Sequence, residues 1–492
     1  MGSVDAAPGT LAGRTEQALA SPSQIRALRD YQDEIQPYVR ELTVDGLPDW
    51  QAWRDRVRDV RGHTVRHLDR YLAEFAGNVE KRGGRVFVAA TATEATGYIA
   101  GVARHHGVQL VVKSKTMLGE EIGLNGALEA LGVQVVETDL GEYIIQLAGE
   151  RPAHITGPCI HMSLEDVRKL FSKHAGTELP SQPEALTAYA RAQLRERFFA
   201  AGMGISGCNF GVASSGSLVL VTNEGNGRLV TSLPPVHVAV VGLERLVPDW
   251  SSLDALLTAL PRAGVCGPST AYVTAITGPR RSDETDGPQE LHVVIVDNGR
   301  SALLGTEYES ALRCIRCGSC LDHCPVWRQI GGQAYGSPYS GPIGAVITPL
   351  LGSPQCWPQL PFASSLCGAC EEVCPARIPL PDLLLALRRD VVRAVPQPAG
   401  WRLGMRAFAA VSERPRAFQA LLRVAGLGRP FVRHPALLTR LPGPLAAWLK
   451  GRDLPLPATT SFAGQWRRAQ RGAHNGTHGA GRSGTGGSGH GA

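Results

Sequence analysis

Two short stretches restrict this chain more than anything else in it: CIRCGSCLDHCP, starting at Cys314, and SSLCGACEEVCP, starting at Ser364. Aligned on the closing Cys-Pro, the first offers Cys314, Cys317, Cys320 and Cys324. The second offers Cys367, Cys370 and Cys374, with Ser364 where a first cysteine would stand. A Cys-x2-Cys-x2-Cys-x3-Cys-Pro run is the ligand ladder of a [4Fe–4S] cluster. Its first three thiolates wrap one cube on a single turn, and the fourth, followed by proline, serves the neighbouring cluster. Crossed in this way, one cluster takes Cys314, Cys317, Cys320 and Cys374. The other takes Cys324, Cys367 and Cys370 and is a ligand short. Three completions stand open: Cys356 reaching back from SPQCWPQLP, an exchangeable ligand, or a [3Fe–4S] centre. Zinc also uses paired Cys-x2-Cys, but it wants a full tetrahedral set at each site, which this ladder suits badly.

Eleven cysteines in a chain without a secretory leader are read as reduced, which places the protein in the cytoplasm. The opening MGSVDAAPGTLAG has no basic segment followed by an apolar one. No apolar run approaches the length of a membrane span. Cys159, Cys208 and Cys266 read as small buried hydrophobes. Charge is uneven: residues 391–492 hold 15 Lys+Arg against 2 Asp+Glu, although the whole chain is only +6. With aromatic content at 6% and no stacking platform near that basic end, nucleic acid is not expected as a partner.

Upstream of the cysteines the pattern is that of a parallel α/β domain. Residues 1–45 read as a polar arm with one short helix at PSQIRALRDYQDEI. Leu68, Tyr71, Leu72, Phe75 and Val79 then mark one face of an amphipathic helix. RVFVAA, VQLVVK and VQVVE read as buried strands, with helices TEATGYIAGVARHHG and GEEIGLNGALEALG between them. GSLVLVTNEGN, VHVAVVG and LHVVIVD add three more strands. GMGISG, at 202–207, matches the dinucleotide fingerprint but is not preceded by a strand and followed by a helix, as that site requires. Two polar groups remain as candidate catalytic or binding residues. Lys113, Lys115, Glu120 and Glu121 lie in KSKTMLGEEIGLN, at a strand's carboxyl end, where open sheets bind ligands. Glu224, with Asn223 and Asn226, lies in the turn NEGNGR.

The stretches VVKSKTMLGEEIGLNGALEALGVQVVETDLGEYIIQLAGERPAHI, NEGNGR and LPFASSLCGACEEVCP resemble the lactate utilisation protein B family. The resemblance runs from about residue 40 to about 390. It implies an α/β LUD domain, CoA-transferase-like with a mostly parallel sheet, over 46–300. An all-α two-cluster ferredoxin module follows over 301–395, then a basic helical region over 396–470 and a disordered tail over 471–492. It implies an iron–sulfur electron-transfer subunit for oxidation of L-lactate to pyruvate. Two partner subunits are implied with it, a cysteine-rich redox protein and a second LUD-domain protein. The family's cluster ligands fall on the same seven cysteines, and the serine before the second motif belongs to the family pattern. The alternative is an acyl- or CoA-type transferase using Glu120 or Glu121, with the clusters structural.

Overall fold

The computed structural model describes residues 9–427 and 460–477, apart from 153, 265–266 and 397–398. It divides into a unit ending at Val395 and a second unit beginning at Pro396. Among the described residues of the first unit, ten strands form two sheets. They are β1 (Arg85–Ala89), β2 (Leu110–Lys113), β3 (Gln134–Glu137), β4 (Met203–Gly207), β5 (Phe210–Val212), β6 (Ser217–Thr222), β7 (Val236–Gly242), β8 (Leu246–Val247), β9 (Tyr272–Ile276) and β10 (Glu290–Val296).

The larger sheet runs β1-β10-β7-β4-β2-β3, and every pairing in it is parallel. Buried runs such as Val236–Gly242 are what a parallel sheet covered on both faces selects. Helix Ala92–His105 and the segment 117–129 cover one face through Ile99, Leu124 and Leu128. Helix Leu68–Lys81 covers the other through Tyr71, Phe75 and Val79. The expected helix GEEIGLNGALEALG is two helices, Met117–Glu121 and Leu124–Glu129, because Gly123 turns left-handed between them at φ 68°. The smaller sheet, β8-β5-β6-β9, is mixed.

The GMGISG segment is itself β4. A Cβ on its Gly204 would lie 1.9 Å from the carbonyl oxygen of Val230. That glycine exists so that helix Asn226–Ser232 can lie against the strand, which accounts for it without a nucleotide.

The N-terminal segment departs from the expected arm with one short helix. Helices Leu11–Leu19 and Pro22–Arg40 are both formed, and the second buries Leu28, Gln32, Ile35 and Val39. With helices Trp50–Arg66 and Trp250–Gly264 it shares one core that continues from β5 and β6 into the cysteine-bearing segment. That segment, from 301 to 395, has no strand and is built of short helical turns plus helices Gly341–Leu351 and Leu380–Ala394.

The second unit contains helices Ala399–Ser412, Pro415–Leu427 and Phe462–Thr477. The last of these runs seven residues into the stretch expected to be disordered; 478–492, like Cys266, lie outside the described residues. No helix among the described residues is long and apolar enough to cross a membrane.

Candidate metal centres and the adjoining cavity

The two cysteine stretches fold into the same loop. Arg316 and Gly318 take φ 59° and 89°; Leu366 and Gly368 take 55° and 88°. The left-handed conformation is cheap only at the glycine, so each Cys-Gly step marks the bend. One helical turn follows in each, Ser319–Asp322 and Ala369–Glu372. In the first loop the Arg316 N–H donates to Cys314 Sγ at 3.4 Å. In the second the Leu366 N–H donates to Ser364 Oγ at 3.1 Å. The serine hydroxyl therefore stands where the first loop has a sulfur.

Cys314, Cys317, Cys320 and Cys374 line one small pocket, walled by Ile343 and Ile378. Burial, then the charges of Cys374 and Cys314, pushes the Cys317 thiol well above its usual range, and burial lifts Cys374 to about 11. Cys324, Cys367 and Cys370 make a second group. There burial, followed by Cys324 and Cys367, raises Cys370 to about 12. Every cysteine among the described residues is free of a disulfide. Cys356 is exposed on a turn, its N–H donating to Ser353 Oγ.

Thiols crowded and buried in this way need a cation that favours the thiolate. The neighbouring donors say the same. Ser319 Oγ, Trp327 Nε1 and Tyr335 Oη are buried with no hydrogen-bond partner among the described residues. Burial, then the charges of nearby Cys324, Cys320 and Cys370, raises the Tyr335 phenol. Buried donors left unmet call for an explanation. Acceptors on an iron–sulfur cluster supply one, and the donor set fits the group.

Helices from the N-terminal third hold both loops. Gln32 Nε2 donates to the carbonyls of Leu321 (2.8 Å) and Cys324 (3.2 Å). Arg54 donates to those of Cys374 (3.0 Å) and Glu371 (2.9 Å). Gly264 lies so near the first loop that a Cβ would sit 1.9 Å from Cys317 O. Of the arginines around the motifs, Arg328 is paired with Asp33 and Arg377 with Asp55, whereas Arg316 is buried.

The five candidates in the α/β domain separate. Lys113 is buried between Glu137 (2.7 Å) and Glu120 (3.0 Å). Glu121 is buried under four donors: Arg300 twice (2.9 and 2.7 Å), Asn298 (2.8 Å) and Tyr339 (2.5 Å). Both oxygens of Glu121 are engaged, whereas the half-buried Glu120 is held through one oxygen by Lys113. Lys115 and Glu224 instead line one cavity of about 410 Å³. Burial, then Asp139, pushes the Glu224 carboxyl up to about 7. The cavity opens at the carboxyl ends of β2, β4 and β7, where strand order reverses between β2 and β4.

One lining residue was not singled out for this cavity by the sequence. Arg316, inside the first cysteine loop, faces both the cysteine pocket and the cavity. Its guanidinium lies 4.1 Å from the Tyr339 ring centroid and 3.5 Å from Glu244. The only signal in sequence was an arginine within CIRC.

Comparison with known proteins adds the following. A LUD domain model matches residues 72–296, and a 4Fe-4S dicluster domain model matches 310–378. The chain is 48% identical over 467 residues to a lactate utilization protein B from Macrococcus caseolyticus, covering 93% of this chain and 98% of the relative. Proteins of the same name from Shouchella clausii and Geobacillus thermodenitrificans are 47% and 45% identical. Each alignment covers 94% of this chain, and 98% and 97% of the respective relatives. A crystal structure of a DUF162 family protein from Deinococcus radiodurans aligns with 13% identity and a TM-score of 0.26, over 46% of this chain and 98% of that one.

Proposed function

The chain belongs to the lactate utilization protein B family, and from that premise we propose that it is the iron–sulfur subunit of a cytoplasmic lactate utilization system, carrying electrons released when L-lactate becomes pyruvate. That oxidation releases two electrons and two protons. Two partners, a cysteine-rich redox protein and a second LUD-domain protein, complete the system and supply the centre that takes the electron pair. Bound clusters accept and pass electrons one at a time.

The observation that carries this reading is the convergence of Cys374, from the second motif, on the pocket of Cys314, Cys317 and Cys320. Those four would hold one cluster. Cys324, Cys367 and Cys370 would hold the other, with Ser364 Oγ offered as its fourth ligand and exposed Cys356 left out. The unpartnered Ser319, Trp327 and Tyr335 would donate hydrogen bonds to a bound cluster, and buried Arg316 would add positive charge; both raise a cluster's potential. The transferase reading loses support because Glu120 and Glu121 are already engaged by Lys113 and Arg300.

The test is anaerobic co-purification with both partners and an EPR titration. Lactate should reduce the clusters of the complex and leave the isolated chain oxidised. Vigorous lactate turnover by the chain alone would sink the subunit reading. The serine corner is checked separately. Ser364→Cys should suppress the three-iron signal that mild oxidation produces, whereas Ser364→Ala should keep it. If Cys356→Ser alone brings that signal out, Cys356 is the ligand.

A further inference from the structure

We propose that the cavity at the carboxyl ends of β2, β4 and β7 is a binding site for an organic acid anion, held by Lys115 and Arg316 at the edge of the first cysteine loop. The cavity, about 410 Å³, lies within the range of small-molecule sites. Two cationic atoms in its wall have no partner among the described residues. Lys115 Nζ is buried without a hydrogen bond, and so is one terminal nitrogen of Arg316.

An ammonium held away from water and left unpaired is strongly unfavourable. The fold nevertheless keeps Lys115 there, and four acids of this region are paired with other cations. Glu120 and Glu137 go to Lys113, and Glu121 and Glu244 go to Arg300. Burial lowers the Lys115 pKa, opposed by the charges of Glu142, Asp139 and Glu224, none of which touches it. A bound anion is what would hold the amine charged. A carboxylate bound in the cavity would offer an acceptor to each of these orphaned donors. The rest of the wall suits the remainder of such a ligand. Thr116, Asn209, Thr222 and Asn226 offer neutral hydroxyls and amides, the partners that a hydroxyl or keto oxygen beside a carboxylate needs. Of the acids in the wall, Glu244 is paired with Arg300, Glu224 is raised to about 7 by burial, and Asp139 stays as the group the anion must avoid.

Arg316 makes the site more than a hole in the α/β domain. Its backbone N–H donates to Cys314 Sγ while its guanidinium faces the cavity. An anion bound there is one side chain from the first cysteine pocket.

The choice of hydroxy and oxo acids as the class rests on the function proposed above; the anion site itself rests on the two unpartnered cations. The experiment is isothermal titration of the full cluster-loaded chain with L-lactate, pyruvate, inorganic phosphate and neutral lactamide. Saturable binding of the two acids is expected, with none for lactamide. Phosphate binding equal to theirs would overturn the organic-acid assignment. Lys115→Met keeps the length and apolar stem and strands no partner, so it should fold, as a thermal melt will show. It should weaken acid binding at least tenfold and leave iron content unchanged. In the wild type the bound acid should also shift the EPR lines of the cluster in the first pocket. Unaltered affinity in Lys115→Met, or no saturable binding by a fully loaded wild type, overturns the site and leaves the iron–sulfur reading standing. A chain that binds the acids but holds no iron does the reverse.

Discussion

Changing Cys374 to alanine is expected to strip about four irons from each chain while the Cys324, Cys367 and Cys370 site stays loaded. Cys374 lies in the second motif but lines the pocket of the first. Iron and sulfide analysis, with EPR of the reduced protein, should group Cys374→Ala with Cys314→Ala. Cys324→Ala should group with Cys370→Ala. Grouping by motif instead, with Cys374→Ala matching Cys370→Ala, would refute the crossed arrangement. The effect should reach beyond spectroscopy, because binding free energy for a metal that only the folded chain can hold is folding free energy.

The second large effect belongs to a residue outside both cysteine loops. Glu121→Gln should destabilise the protein by about 3–5 kcal/mol, the usual result of breaking a buried ion pair from one side. Arg300 is left short of a charge it grips with two nitrogens, and Tyr339 and Asn298 lose a charged acceptor. The urea midpoint should fall at unchanged slope. The pH dependence has a definite sign. Arg300 holds Glu121 below the ordinary carboxylate range, and Arg300 with Arg245 holds Glu244 down to about 2, both against the pull of burial. Stabilisation from depressed carboxylates is full above pH 4.5 and is lost as pH falls through their folded values. The mutant, lacking one of them, should lose less further stability than the wild type over that interval. An unchanged urea midpoint in Glu121→Gln would mean that the network contributes nothing.

How far the sequence reveals this molecule depends on how local each signal is. The cysteine ladders are local, since ligand spacing is dictated by a cluster's size, and the two loops and the approach of Cys374 to the first pocket could be read from them. VQLVVK, VHVAVVG and LHVVIVD are legible because a strand buried on both faces has to be apolar throughout. β4 escaped because its residues, MGISG, are chosen for closeness to Val230 rather than for bulk. β5 and β8 are only three and two residues long. Helix Pro22–Arg40 looked like a short piece of a polar arm because Gln32 occupies a core position between Leu28 and Ile35. Its amide is there to hold two loop carbonyls almost three hundred residues away.

The candidate site shows the same limit more sharply. Glu120 and Glu121 are neighbours in sequence, yet one serves Lys113 and the other Arg300. Lys113 ends β2 and Lys115 lies just beyond it, one neutralised and one unpartnered. No spacing rule separates such pairs, because the distinction lies in what other segments bring to them. Arg316 became part of the cavity only when the cysteine loop was laid against the carboxyl ends of β4 and β7.

Drawing Cys374 into the company of Cys314 ties off everything between those two positions as a closed ring. In a secreted protein a disulfide would make such a knot. A cluster held by these four cysteines would make it with iron instead, and because only the folded chain holds the metal, losing the iron unties the ring and the fold together. Iron starvation should therefore be felt first as an opened, protease-sensitive polypeptide, rather than as an intact protein that has merely lost its colour.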